Sequence, residues 1–207
     1  GGSKPRSKTA SAASMALSGG DDSAGTAAAG PLSVLSSLWG AGGVCYILLK
    51  AIKRVVPIAL EPFSKTEGVV PLTSVQLAIY AATCAWFAYV EGYKGFQLKF
   101  SPLVASRSRT LVPGTSSFVH ILLAPLYSMG LFHATRKRMI VSWSVTLGVA
   151  GIVAAVKRLP YPWRNIVDAG VVVGLTWGTL SIMLSYVKAM VTGKNPCDPA
   201  LPEKKAD

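Results

Sequence analysis

The sequence predicts an all-α integral membrane protein, a helical bundle of four transmembrane helices with a fifth, N-terminal helix beside them. Four stretches lack Asp, Glu, Lys and Arg, and each is long enough to cross a bilayer, which takes roughly 20 helical residues. These stretches are residues 69–90, 111–135, 139–156 and 169–187. The chain is 51% hydrophobic and only 14% charged, whereas soluble domains carry about 25% charged residues. Both observations place the helices in lipid rather than in water.

The composition divides the chain into three regions. Residues 1–30 are rich in Gly, Ala and Ser. This composition predicts a low-complexity, disordered N-terminal tail, because such a segment buries too little apolar surface to fold. Residues 31–190 contain the predicted transmembrane bundle, and residues 191–207 form a polar C-terminal tail.

The N-terminal helix, predicted for residues 31–50, is either a fifth span or a helix lying on the membrane surface. It is interrupted by Ser and Gly, and the basic stretch after it stops at Pro57. Four spans divide the Lys and Arg residues 14 to 7 between the membrane faces, whereas five spans divide them 10 to 11. The positive-inside rule therefore favours four spans. Length favours five, because residues 23–49 are uncharged. We expect a helical segment that is at least partly inserted.

Three connections join the predicted spans. Residues 135–139 form a short basic turn, so the spans on either side are expected to be antiparallel neighbours. Residues 157–164 contain two prolines, which end one helix and begin the next. Residues 91–113 form the one long connection, and its charged and aromatic residues suit the head-group region.

Three glycines on the last span, Gly170, Gly174 and Gly178, follow one another at intervals of four residues. This spacing places them on one helix face, where the missing side chains let another helix backbone or a flat ring approach closely. The favoured interpretation is a helix contact inside the bundle. A contact with a partner subunit, a pigment or a sterol is the alternative.

Two histidines lie on the third predicted span. His120 and His133 are thirteen positions apart, which in one continuous helix separates them by about 20 Å. They are therefore not expected to share a metal ion. An interfacial hydrogen bond beside Arg136 is the simplest role for His133. Ionisable residues inside membranes often have functional roles, so each histidine is also a candidate axial ligand for the magnesium of a chlorophyll.

Acidic residues are scarce near the spans, and two of them are candidates for a role. Glu91 ends the second predicted span and is a third candidate chlorophyll ligand. Asp168 lies in the first turn of the last span, where the helix dipole favours a carboxylate and Arg164 is one turn away for an ion pair. No carboxylate lies near a predicted span midpoint, so a proton relay is not predicted.

The sequence contains no HExxH, GxSxG, GxxxxGK[ST] or CxxC motif, so an enzyme is not predicted. Cys45, Cys84 and Cys197 form no metal-binding motif, and no metal site is predicted. The 21 basic residues outnumber the 9 acidic ones. They lie between apolar stretches, where anionic lipid head groups are better partners for them than nucleic acid.

Three segments carry a resemblance to known proteins. EGYKGFQLKFSP (91–102), LFHATRKRMIVSW (131–143) and PWRNIVDAGVVVGLTWG (162–178) resemble small polytopic membrane proteins of bacteria and algae, over roughly residues 69–190. SKTASAASMALSGG in the N-terminal tail resembles the processed start of an algal plastid protein. Together these resemblances imply an accessory subunit of a thylakoid complex, with a photosystem–antenna supercomplex favoured. The segment VEGYKGFQ lacks the Asn-Gly-Arg of light-harvesting chlorophyll proteins, which excludes that family.

The favoured hypothesis is a non-catalytic accessory subunit of a multi-subunit membrane complex. It would bind other membrane subunits and membrane lipids and, as the resemblance implies, chlorophyll and carotenoid. The alternative is a small membrane transporter or channel, suggested by Glu91, Asp168 and a helix break at Pro125. A lipid-modifying enzyme with His120 or His133 as its base is the least favoured. The plastid thylakoid membrane is the favoured location, with the mitochondrial inner membrane or a bacterial membrane as alternatives.

Overall fold

The computed structural model describes residues 30–64 and 69–202. Within these residues the chain is helical and contains no strand, which confirms the all-α prediction. The helices are α1 (Pro31–Leu60), α2 (Ser74–Phe87), a π-helical segment (Ala88–Phe100), α3 (Ser101–Ser108), α4 (Phe118–Leu122), α5 (Ala124–Ser128), α6 (Arg136–Val156) and α7 (Trp163–Thr192). The predicted N-terminal tail lies, except for Gly30, outside the described residues.

Three helices are long and apolar enough to cross a membrane. They cover Pro31–Phe63, which is α1 with a short 3₁₀ turn, Arg136–Val156 and Trp163–Thr192. The structure therefore supports a membrane protein, whereas the predicted count of four or five spans is not confirmed. The predicted span at residues 69–90 becomes α2 and the start of the π-helical segment.

The bundle core lies where α1 and α7 run antiparallel to each other. Near the end of α1, the backbone carbonyl of Ile58 accepts a hydrogen bond from Asn165 Nδ2 at the start of α7, at 2.7 Å. Closer to the opposite ends of both helices, Val44 shares an apolar cluster with Ile182 and Tyr186. α1 continues through Pro57 to Leu60 instead of stopping at the proline.

Residues 74–108 form one continuous helical run beside α7 and in the same direction. A capping box starts the run, because Thr73 and Gln76 each bond the other's backbone amide, at 3.3 and 2.9 Å. Along the run, Phe87 meets α7 at Gly170, and Phe96 meets it at Gly178. The expectation of a long interfacial connection at residues 91–113 is therefore wrong, because residues 91–108 are helical. The sequence has no proline between residues 71 and 102 to end the helix.

Residues 111–135 differ most from their prediction, because they do not form a single helix. They fold into the five-residue helices α4 and α5 with turns on both sides. Pro125, which lacks an amide hydrogen, follows the break at Leu123 (φ −97°, ψ 29°). Gly130 adopts a left-handed conformation (φ 74°) and turns the chain back. The span predicted here is consequently not observed, and the antiparallel pair expected around residues 135–139 does not form.

The C-terminal segment folds back onto α3. Gly193 ends α7 with a left-handed conformation (φ 69°). The backbone amide of Cys197 then donates to Ser106 Oγ at 3.1 Å. Residues 193–202 thus cover one end of the bundle, and α7 itself extends to Thr192, two residues into the region predicted as a polar tail.

α6 stands apart from the rest of the bundle. Of its 21 residues only Ser142 is buried. Its apolar side chains are exposed, and a Cβ added to Gly148 or Gly151 would meet nothing within 4 Å. The described part of the chain therefore leaves one spanning-length helix almost without intramolecular packing.

Candidate functional site

The glycine face of α7 lies against residues 87–96 of the same chain. A Cβ added to Gly170 would lie 2.6 Å from the Phe87 ring, and one added to Gly178 would lie 2.5 Å from the Phe96 ring. All three glycines of the face are buried. The close approach that their spacing predicts is therefore made within the bundle, and this face is not open to a pigment or a partner.

The middle glycine brings Glu91 to the centre of the bundle. A Cβ on Gly174 would lie 2.7 Å from Glu91 Oε2. Gly178 is the midpoint of the uncharged stretch 169–187, so Gly174 lies about 6 Å from that midpoint at 1.5 Å per residue. The hydrocarbon core extends about 15 Å to either side of its midplane. A bilayer crossed by this stretch of α7 therefore encloses Glu91, which the sequence alone placed at the end of a span.

Lys94 lies at the same height but faces away from the bundle. The residue is exposed, and its Nζ lies 4.7 Å from the centroid of the Tyr89 ring. The rings of Tyr89 and Tyr93 stack with centroids 6.2 Å apart and an interplanar angle of 18°. Within the described residues, no carboxylate oxygen lies within 4.0 Å of Lys94. We call this exposed surface of Tyr89, Tyr93 and Lys94 the tyrosine–lysine face.

Sequence reasoning missed the tyrosine–lysine face because residues 91–113 were assigned to a loop outside the membrane. The sequence feature consistent with it is the proline-free, largely apolar stretch from residue 72 to 101, which permits one unbroken helix without requiring it. The π-helical geometry of this segment is a second signal, available only in the structure. π-helical turns are rare in proteins, and those that occur are often found at functional sites.

The structure brings His120 and His133 together. Their ring centroids are 4.3 Å apart, at an interplanar angle of 40°. The expected separation of about 20 Å is wrong, because the chain breaks and turns back between the two residues. Tyr127 and Phe132 complete the aromatic cluster, with ring centroids 5.3 and 5.8 Å from His120.

His133 is the more exposed of the two histidines and has an unusual backbone conformation. Its φ is 48°, a left-handed value that few residues other than glycine adopt. Burial, followed by the charges of His120 and Arg107, lowers the pKa of His133. The imidazole is therefore biased towards its neutral form, which has a free nitrogen lone pair.

Arg107 connects the segment that carries Tyr127 and His133 to the C-terminal segment through hydrogen bonds. Its side chain is fully buried, and it donates to backbone carbonyls in three separate parts of the chain. Nε donates to Tyr127 at 2.7 Å, and the guanidinium lies over the Tyr127 ring, 4.4 Å from its centroid. Nη2 donates to His133 at 3.0 Å, and Nη1 donates to Pro199 at 2.8 Å. This arrangement is structural, because the donors are used by the protein's own backbone.

The ion pair predicted for the start of α7 is present. Arg164 Nε lies 3.6 Å from Asp168 Oδ2, one helical turn away. Asn165 is 2% exposed, and its Nδ2 donates to Glu61 Oε2 at 2.6 Å in addition to its bond to α1. The Asn165 contacts join α7 to the end of α1, and the ion pair with Arg164 accounts for Asp168 without a transport role.

Two open surface grooves follow the helices. One, of about 490 Å³, lies beside Trp177 and Gln97, whose side chains are joined by a 2.8 Å hydrogen bond. The other, of about 560 Å³, runs along α6 from Arg136 past Trp143. Among residues 30–64 and 69–202, no group of three or more His, Cys, Asp or Glu residues is arranged to hold a metal ion.

Comparison of the chain with protein-family models, curated proteins and solved structures gives no match.

Proposed function

We propose that this chain is a non-catalytic accessory subunit of a multi-subunit membrane complex. The observation that carries the proposal is α6, a spanning-length apolar helix of which only Ser142 is buried in this chain. Ser144, Gly148, Gly151 and Ala155 follow one side of the helix at intervals of three and four residues. Small residues at this spacing let a second transmembrane helix approach closely.

The more specific form of the proposal is an algal photosystem–antenna supercomplex in the thylakoid membrane, with chlorophyll or carotenoid bound at its periphery. It rests on the resemblances of the sequence. His120 and His133 are the ligand candidates we retain, because His133 is exposed and His120 is only half-buried. Glu91 is a poor candidate, since its carboxylate packs against Gly174 inside the bundle.

Purification of the tagged full chain in mild detergent tests the proposal. We expect comigration with a large complex, with chlorophyll absorbance in the same fractions if the photosystem form is right. A monodisperse monomer would contradict the accessory-subunit function. A large complex without pigment would contradict only the photosystem form.

A double variant, Gly148→Leu with Gly151→Leu, tests the role of α6. Both positions have free space around them in this chain, so the isolated protein should keep its stability. The fraction found in the complex should fall, because two large side chains prevent close helix packing. Val149→Leu, on another side of the same helix, is the matched control. Unchanged complex formation by the double variant would show that this side of α6 faces lipid.

A small transporter or channel is a second candidate, and the position of Glu91 favours it. Carboxylates at hydrocarbon depth commonly mark proton or ion pathways. Liposome flux that Glu91→Gln abolishes, and that Asp168→Asn leaves intact, would support this function. Absence of flux in the wild-type protein would remove it.

A further inference from the structure

We propose that the tyrosine–lysine face binds a transmembrane helix of a neighbouring subunit, and that this helix carries an Asp or Glu whose carboxylate pairs with Lys94. The inference rests on the proposed function, because it assumes that the chain belongs to a complex. It adds the position of the contact and the chemistry of the partner.

Lys94 lies close to the level of the bilayer midplane. It lies in the run between Glu91, which is level with Gly174, and Phe96, which is level with Gly178. The α-carbon of Lys94 is therefore within about 6 Å of the midpoint of the uncharged stretch of α7. A lysine at the centre of a bilayer costs about 2.5 to 3.5 kcal/mol on insertion scales. Its position on an exposed face needs a compensating group.

The protein's own groups compensate this charge only in part. The contact of Nζ with the Tyr89 ring, 4.7 Å from its centroid, is the one interaction of the Lys94 ammonium group that the described residues provide. Cation–π contacts contribute about 0.5 to 2 kcal/mol. An ammonium group with three donors and no acceptor still lacks a hydrogen-bonding partner. A carboxylate is the group that matches both its charge and its donors.

The source of that carboxylate is a protein rather than a lipid. The hydrocarbon core extends about 15 Å from the midplane, and the head-group phosphates lie beyond it. More than about 9 Å therefore separates them from the α-carbon of Lys94, whereas an extended lysine side chain spans roughly 6 Å when it snorkels. Tyr89 and Tyr93 are 53% and 38% exposed and stacked on each other. Exposed tyrosines with fixed geometry are enriched in protein–protein contacts. Lys50 on α1 and Lys99 are also exposed near this level, but among the described residues no aromatic ring lies against either ammonium group.

Complex formation by charge variants tests the pairing. The full chain carrying Lys94→Met, Lys94→Arg or Lys157→Met would be purified in mild detergent, and the complex-bound fraction measured on a density gradient. Lys94→Met should lower that fraction at least about threefold, which corresponds to at least about 0.7 kcal/mol, whereas Lys94→Arg should keep it. Lys157→Met removes a cation in the turn after α6 and should behave as the wild type. The thermal unfolding midpoint of purified Lys94→Met should not fall, which separates lost binding from lost folding.

Photo-crosslinking in an otherwise unchanged chain provides the second measurement. Benzoylphenylalanine in place of Tyr93 should crosslink to one partner protein. The crosslinked residue of that partner should lie in an apolar segment, within one helical turn of an Asp or Glu. Crosslinks to lipid alone, or a Lys94→Met chain that enters the complex like the wild type, would overturn the inference and leave the accessory-subunit function intact. A wild-type chain that never enters a complex would instead overturn the proposed function.

Discussion

The rings of His120 and His133 lie 4.3 Å apart, although one continuous helix would separate the residues by about 20 Å. The difference comes from the backbone between them, which breaks at Leu123 and reverses at Gly130. Arg107 then holds the returning segment by donating to the carbonyls of Tyr127 and His133. A segment with the composition of a transmembrane span is thus folded against one end of the bundle.

The proximity of the two histidines can be tested by crosslinking. In a chain whose three native cysteines are replaced by Ala, His120→Cys with His133→Cys should react within one molecule with a short bifunctional thiol reagent. The control is Arg136→Cys with Val149→Cys, also thirteen positions apart but on the continuous helix α6. The control should remain unlinked, since about 20 Å separates its thiols along the axis. If neither cysteine pair crosslinks, residues 111–135 would be better described as one unbroken span than as the folded segment observed here.

Glycine-to-alanine substitution should have different effects on stability at Gly178, which is closely packed on α7, and at Gly148, which has free space around it on α6. Gly178→Ala should destabilise the protein by about 1 to 3 kcal/mol, because its Cβ would lie 2.5 Å from the Phe96 ring. Gly148→Ala on α6 meets no atom within 4 Å. It should be neutral or stabilise by up to about 1 kcal/mol, because Ala favours helix more than Gly does. Thermal unfolding of both variants in detergent measures the difference, and similar midpoints would contradict the observed packing.

Loss of the Arg107 guanidinium should detach the C-terminal segment, because Nη1 donates to the carbonyl of Pro199. Arg107→Lys keeps the charge, but its single ammonium nitrogen cannot replace Nε, Nη1 and Nη2, which donate to three separate segments. We therefore expect a loss on the order of 3 kcal/mol from unsatisfied buried carbonyls. The thiol of Cys197 reports the detachment, because its backbone amide is bonded to Ser106 in the folded protein. With Cys45 and Cys84 replaced by Ala, maleimide labelling of Cys197 should accelerate.

Arg109→Lys is the control for the Arg107 variant. Arg109 also reaches the C-terminal segment, donating to Asn195 Oδ1 at 2.8 Å, but it lies closer to solvent, where water replaces lost hydrogen bonds. Its effect on stability should be below about 1 kcal/mol. Equal labelling rates in the two variants would argue against a special role for the buried guanidinium.

The membrane location predicts resistance to alkaline extraction. Three apolar helices of spanning length should keep the chain in the vesicle pellet after a carbonate wash, because their transfer to water exposes a large apolar surface. A peripheral protein bound through its Lys and Arg residues would be released by the same wash. Recovery of the chain in the supernatant would contradict an integral membrane protein of any span number.

Particular residues show how much the sequence could predict. The four-residue spacing of Gly170, Gly174 and Gly178 predicts a close contact, and α7 makes one. The spacing of Arg164 and Asp168 predicts their ion pair. Both predictions rely on positions within one regular helix, where sequence distance fixes spatial distance. The tyrosine–lysine face and the histidine pair depend on where a helix continues or breaks, which local composition left undecided.

By itself, the sequence determined that this is a helical protein with spanning-length apolar segments, because hydrophobicity and helix periodicity are local properties. Only the tertiary structure decided that residues 91–108 continue as helix beside α7 and that residues 111–135 fold back under Arg107. The physical reason is that both outcomes depend on contacts between distant parts of the chain. Glu91 reaches the middle of the bundle because Gly174 on α7 leaves room for its carboxylate. His133 meets His120 because Arg107 satisfies the carbonyls that the broken helix exposes.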